Sequence, residues 1–338
     1  MKPLYKLLFF PLLITSTLIS ISSSNWMSAW MGLEINLLCF IPLMSQKNLS
    51  NNSEATMKYF LIQSMASSLL IFSILLNLLM LNINSTLYTN NYLLMIMNTS
   101  LMLKIGIAPF HFWFVEIIEK INWMNSTILL TWQKLAPMML LSYTTKSMIF
   151  IMIICLITTF TGSIMGLNQT SLRKIMAFSS LNHLGWMLST LLINKLLWMI
   201  YFFIYLVITI TITMLFHFLK IFFLKQMFTM PLNSFMIKFN LSLNFLSLGG
   251  LPPFLGFFPK WLVILKLSSS FNTLLLFMIF MSLITLYFYL RIIYSYLTIS
   301  SNKLNYNFIN YYLSDISLFN TFLTTNSLII FINLFYLI

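Results

Sequence analysis

The sequence predicts an all-α polytopic membrane protein, and three observations carry that prediction. Of its 338 residues 60% are hydrophobic and 7% charged, where a soluble domain carries about 25% charged residues. The apolar residues fall in runs of about twenty, the length an α-helix needs to cross a bilayer. Short polar segments separate the runs, as in SQKNLSNNSEAT (45–56), NINSTLYTNN (82–91) and NQTSLRK (168–174), and no strand-period segment or long polar domain interrupts them. The formal charge of +13 comes from 18 Lys and Arg against 5 acids. In a nucleic-acid-binding protein those cations would gather on one face. Here they sit between apolar runs, as loop charges do in membrane proteins.

Taken in order, about eleven spans are expected, near 3–22, 26–44, 57–81, 92–115, 123–144, 147–167, 173–193, 196–222, 236–265, 271–297 and 316–338. The first, MKPLYKLLFFPLLITSTLIS, has the basic start and apolar body of a signal peptide. It lacks a small-residue cleavage site, and further spans follow at once, so it reads as a transmembrane helix. An Arg-rich transit peptide is missing too, which for an organellar protein implies synthesis inside the organelle. The excess of Met, Phe, Ile, Leu and Asn, beside 3 Val and 2 Arg, fits an AT-rich organellar gene. Cys39 and Cys155 lie in apolar segments without metal-ligand spacing and read as small core hydrophobes.

Orientation follows from the basic residues in alternate loops. Lys2, Lys6, Lys47, Lys58, Lys120, Arg173, Lys174, Lys220, Lys225, Lys238, Arg291 and Lys303 fall on the side of the N-terminus, against Lys146, Lys195 and Lys266 on the other. The N-terminus is therefore expected on the cytoplasm-like side, which in a mitochondrion is the matrix.

Two spans carry helix breakers. LMLKIGIAPFHFWF (101–114) holds Lys104, Gly106 and Pro109, and LSLGGLPPFLGFFPKWLV (246–263) holds three Gly and three Pro with Lys260. Proline frees backbone carbonyls, which a membrane helix tolerates only against protein or water-filled space. The fourth and ninth spans are thus expected to break, with continuous neighbours. Their odd offset reverses direction across the membrane. This predicts two five-helix units of inverted topology, 1–146 and 147–300, followed by a linker and C-terminal helix, 301–338. Paired interrupted spans point to an ion pathway.

Lys104, Lys134 and Lys260 fall inside spans, where a lysine costs about 2.5–3.5 kcal/mol on insertion scales and calls for a partner or water. Snorkelling to a helix end is the alternative for each. Glu34, in WMSAWMGLEINLLCFIPL (26–43), is the acid clearly inside a span. Paired with Lys104 it would stay ionised; alone it would be a protonated structural residue. Lys134, in ILLTWQKLAPMML (128–140), is a mid-span amine able to take up and release a proton. His183, with Ser179, Ser180 and Asn182 nearby, occupies the second span of the second unit, as Glu34 does in the first, and either relays protons or packs. His111 follows the first break and either lines a cavity or packs. His217 reads as interfacial, and Glu116, Glu119 and Lys120 as a solvated loop or partner contact. No phosphate loop, dinucleotide fingerprint or Ser–His–Asp arrangement is found.

LEINLLCFIPL (33–43), KIGIAPFHFW (104–113), TWQKLAP (131–137), LNQTSLRKIMAFSSLNHLGWML (167–188) and LGGLPPFLGFFPKWL (248–262) together resemble the antiporter-like membrane subunits of respiratory complex I, the animal mitochondrial second-subunit family in particular. The resemblance spans most of the chain in order. It implies eleven helices and a proton-translocating role in the membrane arm, in the mitochondrial inner membrane. By motif match Glu34 and Lys104 would form a switching ion pair, Lys134 the central proton carrier, Lys260 the route to the exit, and His183 part of the hydrophilic axis. Flavin mononucleotide, iron–sulfur clusters and ubiquinone would belong to other subunits, leaving no cofactor here. Partners would be other membrane-arm subunits and phospholipids, with no nucleic acid. A free-standing cation/proton antiporter and a non-pumping structural subunit remain the rival readings.

Overall fold

The computed structural model describes residues 4–45, 50–83, 91–145, 147–228 and 235–298. The eleventh expected span, 316–338, lies outside the described residues. Those described are all-helical apart from one isolated bridge between Ser171 and Phe223. Six of the helices are long and apolar enough to cross a membrane: Tyr5–Ser22, Trp26–Met44, Asn52–Leu79, Met148–Gly166, Lys195–Leu219 and Asn272–Thr298. The chain divides into two compact units, Met1–Ile154 and Cys155–Ile338.

In the first unit, α1 (Leu4–Ser22) and α2 (Trp26–Met44) form a tight hairpin. Gly32 lets the two backbones meet, since a Cβ there would lie 2.8 Å from Ser20 Cβ and 2.9 Å from the Ser16 carbonyl. Small residues at helix contacts are what close approach in lipid requires. Helix α3 (Ser50–Ile83) packs on α2, on α4 (Asn91–Ile105) and on α5 (Phe112–Lys120). Then come α6 (Trp123–Leu130) and α7 (Trp132–Tyr143), parted at Thr131.

That last break departs from the continuous fifth span read from the sequence. Its cause is local. The ring of Pro137 crowds the Gln133 carbonyl and supplies no N–H to it. One turn earlier the Thr131 hydroxyl donates to the Thr127 carbonyl, a back-bond that bends helices.

In the second unit, α8 (Met148–Gly166), which starts in the first, continues from Cys155 and meets α9 (Leu172–Leu191). Then follow α10 (Lys195–Leu219), α11 (Leu224–Phe228), α12 (Phe235–Gly249), α13 (Phe257–Leu267) and α14 (Asn272–Thr298). Every residue of α9 from Ile175 to Leu191 is buried, so it forms the centre of this unit. It is not among the six helices long and apolar enough to cross a membrane, because polar residues such as Ser179, Ser180, Asn182 and His183 lower its hydropathy. The serine hydroxyls are satisfied within the helix, donating to the Met176 and Ala177 carbonyls at 2.8 and 2.7 Å. Gly162 of α8 sits against the Asn182 nitrogen, where a Cβ would lie 2.7 Å away.

Two of the places where helical bonding stops share one backbone pattern. Helix α4 ends on Gly106 at φ 80°, and α12 runs into Gly250 at φ 77°. In the first, Gly106 N–H reaches the Met102 and Leu103 carbonyls at 3.0 and 3.3 Å, and Ile107 N–H reaches Met102 at 3.1 Å. Phe110 then donates to Ile107 at 2.8 Å and Phe114 to His111 at 3.1 Å. In the second, Gly250 donates to Leu246 and Ser247, both at 3.1 Å, and Leu251 to Leu246 at 3.3 Å. Phe254 donates to Leu251 at 2.9 Å and Phe258 to Leu255 at 3.2 Å. Each residue lies 144 positions after its counterpart, as Gly250 does after Gly106. A left-handed glycine with the six-to-one bond is the Schellman stop, which satisfies carbonyls that a helix end leaves open. Each break also contains a cis X–Pro bond, Ala108–Pro109 and Pro252–Pro253.

Candidate functional site

Lys104 lies in the last turn of α4 and is 7% exposed. Its carbonyl, at the end of the helix, accepts a hydrogen bond from Gln63 Nε2 of α3 at 3.0 Å. With that carbonyl satisfied by another residue, the ammonium makes no hydrogen bond to a described residue. It faces two small cavities instead. One, of about 20 Å³, is lined by Leu33, Asn36, Leu37, Tyr59, Gln63, Lys104, Gln133 and Pro137. The other, of about 10 Å³, is lined by Lys104 and Lys134 together with Tyr59, Trp113, Phe114 and Gln133 among others. A single water requires roughly 10–15 Å³, so each cavity is of water size.

Lys134, 1% exposed, is among the largest fully buried side chains. Its Nζ stands 4.8 Å from the centroid of the Phe114 ring, a separation at which a ring quadrupole stabilises a cation. Phe114 belongs to the first turn of α5, so the break after α4 brings this ring to Lys134. Lys104 and Lys134, two of the residues singled out from the sequence, therefore share one buried pocket.

The other expected members of the first unit stand differently. Glu34 is half-buried on α2 and lines neither cavity. Among the described residues the ion pairs within 4.0 Å are Lys58–Glu54, Lys58–Glu116 and Lys120–Glu54, so Glu34 and Lys104 are not in contact here. His111 is 4% exposed, lies beside Phe112 with tilted rings whose centroids are 4.3 Å apart, and lines neither cavity; among the described residues its Nδ1 has no hydrogen-bond partner. Glu116 and Lys120 are not loop residues. They sit on α5 and tie it to α3 through Lys58, which lies 2.6 Å from Glu116, and through Glu54.

In the second unit, Lys260 is 6% exposed, and its Nζ donates to the Gly249 carbonyl at 2.9 Å. The lysine thus caps the carbonyl end of α12, where the helix dipole favours a cation. Gly250 gives it room: a Cβ there would lie 2.9 Å from Lys260 Cδ and 3.0 Å from Nζ. His183 Nδ1 lies 3.0 Å from the Tyr201 hydroxyl, and its ring is 5.4 Å from that of Tyr205. Tyr201, Tyr205 and Tyr289 are each 1–2% exposed. Tyr205 bonds Ser180, and Tyr289 bonds Ser179. Lys238, assigned to a loop from the sequence, is buried on α12 with Nζ 5.4 Å from the Tyr296 ring.

Sequence reasoning passed over Asn36, Tyr59, Gln63 and Gln133 in the first unit and the three tyrosines in the second. The available signal was a neutral polar residue inside an apolar run. An amide or hydroxyl in lipid needs a partner as a charge does. Among the described residues no group of three or more His, Cys, Asp or Glu is placed to hold a metal.

The family model described as NADH:quinone oxidoreductase/Mrp antiporter, transmembrane, matches residues 23–286. NADH-ubiquinone oxidoreductase chain 2 of Anopheles gambiae is 46% identical over 100% of both chains. The chain belongs to the NADH-ubiquinone oxidoreductase chain 2 family. Membership extends well beyond insects, since the chain 2 of Lemur catta is 39% identical over 91% of each chain. The chain 2 fold is also found in a chain of respiratory complex I from Thermus thermophilus with bound aureothin. That chain matches at a TM-score of 0.82 and 18% identity, covering 96% of this chain and 77% of that one. A chain of the Mrp complex from Dietzia sp. DQ12-45-1b matches at 0.76 and 14%, covering 87% and 60%.

Proposed function

We propose that this chain is the proton-translocating, antiporter-like second subunit of the membrane arm of respiratory complex I. In this reading NADH oxidation and ubiquinone reduction proceed in other subunits, which hold the flavin mononucleotide and iron–sulfur clusters. The chain spans the mitochondrial inner membrane about eleven times with its N-terminus in the matrix, beside other membrane-arm subunits and phospholipids. Helices α4 with α5, and α12 with α13, act as interrupted spans four and nine of two inverted repeats. The observation that carries the reading is the burial of two lysines, Lys104 and Lys134, on one water-sized cavity. Buried amines beside a water-sized cavity suit proton exchange and are poor structural choices.

The mechanism is electrostatic. While Glu34 compensates Lys104, Lys134 holds a proton. When a neighbouring subunit draws Glu34 away, the uncompensated Lys104 repels the charge on Lys134 and expels its proton. Each charge moved outward works against about 2.3 kcal/mol per 100 mV, so the driving step must supply more than that. The Mrp-like fold favours a second reading, a cation/proton antiporter working without redox partners. Sodium–proton exchange by the purified chain in liposomes would support that alternative. The test of the main reading is Lys134→Met, which keeps bulk and removes the amine. The complex is expected to assemble with its proton yield per electron pair sharply reduced; an unchanged yield rejects the role of Lys134.

A further inference from the structure

We propose that Gln133, held in register by Asn36, is a positioning residue that orders the water linking Lys104 to Lys134; this rests on the proton path described above. Gln133 lines both small cavities, together with Lys104 and Tyr59, while Asn36 lines only the larger and Lys134 only the smaller. Its Oε1 accepts from Asn36 Nδ2 at 3.0 Å, and its Nε2 donates to Asn36 Oδ1 at 2.9 Å. A carboxamide offers two N–H donors and two lone pairs. The reciprocal pair uses one of each, leaving Gln133 one donor and one acceptor for the cavities. Cavities of about 10 and 20 Å³ suit one water apiece, and a buried water needs 2–4 polar partners. Lys104, Tyr59 and the free half of the Gln133 amide provide them.

A neutral amide is the right chemistry for this position. It donates to a water whose neighbour is a neutral amine and accepts from a water whose neighbour is an ammonium. A carboxylate in its place would hold the lysines as fixed ion pairs, and an apolar side chain would leave the water short of partners. With an ordered water, one proton passes from the Lys104 ammonium to the water as another passes from that water to the neutral Lys134 amine. Charge and atoms balance, and no other bond changes. Asn36 also stands two residues from Glu34 on α2. A displacement of α2 that moves Glu34 therefore moves the partner of Gln133, so the switch helix and the water are mechanically joined.

The test uses the intact complex in liposomes, reading protons moved per electron pair across a range of pH. Gln133→Met keeps length and removes the amide, Asn36→Leu breaks the pair but leaves Gln133, and the double exchange Asn36→Gln with Gln133→Asn rebuilds a reciprocal pair. Gln133→Met is expected to lose most of the yield attributable to Lys134, with a deficit that grows as protons become scarce towards alkaline pH. Asn36→Leu should lose less, and the double exchange should recover at least half of the loss. Equal loss of assembled complex in both single variants, with a normal yield at every pH in what remains, would make the amide pair a simple helix clamp and overturn the proposal. Lys134→Met, measured alongside, separates the two levels. If it loses its yield while Gln133→Met keeps it, only the Gln133 assignment fails; if it pumps normally, both fall.

Discussion

The two helix breaks at Gly106 and Gly250 have the same backbone and opposite chemistry. At the first, the lysine precedes the glycine stop by two residues; at the second, it follows by ten. The position matching Lys104 is Leu248, and the one matching Lys260 is Glu116. Lys104 leaves its helix-end carbonyl to Gln63 and turns its own ammonium to a water-sized cavity. Lys260 reaches back and takes the Gly249 carbonyl itself. Glu116 points outward to Lys58. The glycine stop is therefore a frame that leaves helix-end carbonyls open, and the placement of one cation decides whether the lysine caps such a carbonyl or lines a small cavity beside it. The surroundings follow suit: two small cavities flank Lys104, whereas His183 is enclosed by packed tyrosines and serines.

The contrast can be broken most forcefully at the lysines. Lys260→Met should leave the buried Gly249 carbonyl without its donor, at about 1–3 kcal/mol, and lower the amount of assembled complex on native gels. Lys104→Met removes no hydrogen bond to a described residue, so assembly should stay near normal while proton yield collapses. Equal assembly losses in the two variants would erase the distinction between cap and carrier.

A smaller effect is expected at the glycines. Both occupy left-handed backbone, which costs an L-residue roughly 1–2 kcal/mol. At Gly106 a new Cβ would also stand 2.8 Å from Phe114 Cβ, close to the backbone of α5 and unable to swing away. At Gly250 its nearest neighbours are atoms at the flexible end of Lys260. Gly106→Ala should therefore lower the melting temperature of the complex more than Gly250→Ala. The reverse order would mean that Lys260 is held as rigidly as Phe114.

How much of this was legible in the sequence depends on the kind of signal. Helices α1, α2, α8, α10 and α14 follow from apolar run length alone, and their bounds fall close to those expected. The breaks at Gly106 and Gly250 were marked by Gly and Pro within apolar runs. The bend at Thr131 was not read, because Pro137 can sit in an otherwise continuous helix and the decisive back-bond is one turn away. Lys104 and Lys134 were visible as charges out of place. Asn36 and Gln133 were not, because their pairing joins residues 97 apart and a neutral amide changes hydropathy only slightly. The lack of contact between Glu34 and Lys104 was equally hidden: a sequence places a residue on a helix but does not fix which face meets which neighbour. Lys238 misled for a simpler reason, since its place near a helix start looked like a loop while α12 carries it inward against Tyr296.

Central to the proposed function is the claim that Lys134 works by releasing its proton rather than by holding a helix in place. Lys134→Arg keeps a cation of similar reach, but a guanidinium stays protonated throughout the physiological range. Protons moved per electron pair should be measured in the assembled Arg variant in sealed vesicles. A marked fall in yield with normal assembly is the expected result. A yield equal to that of the native lysine would contradict it and leave Lys134 as a structural cation.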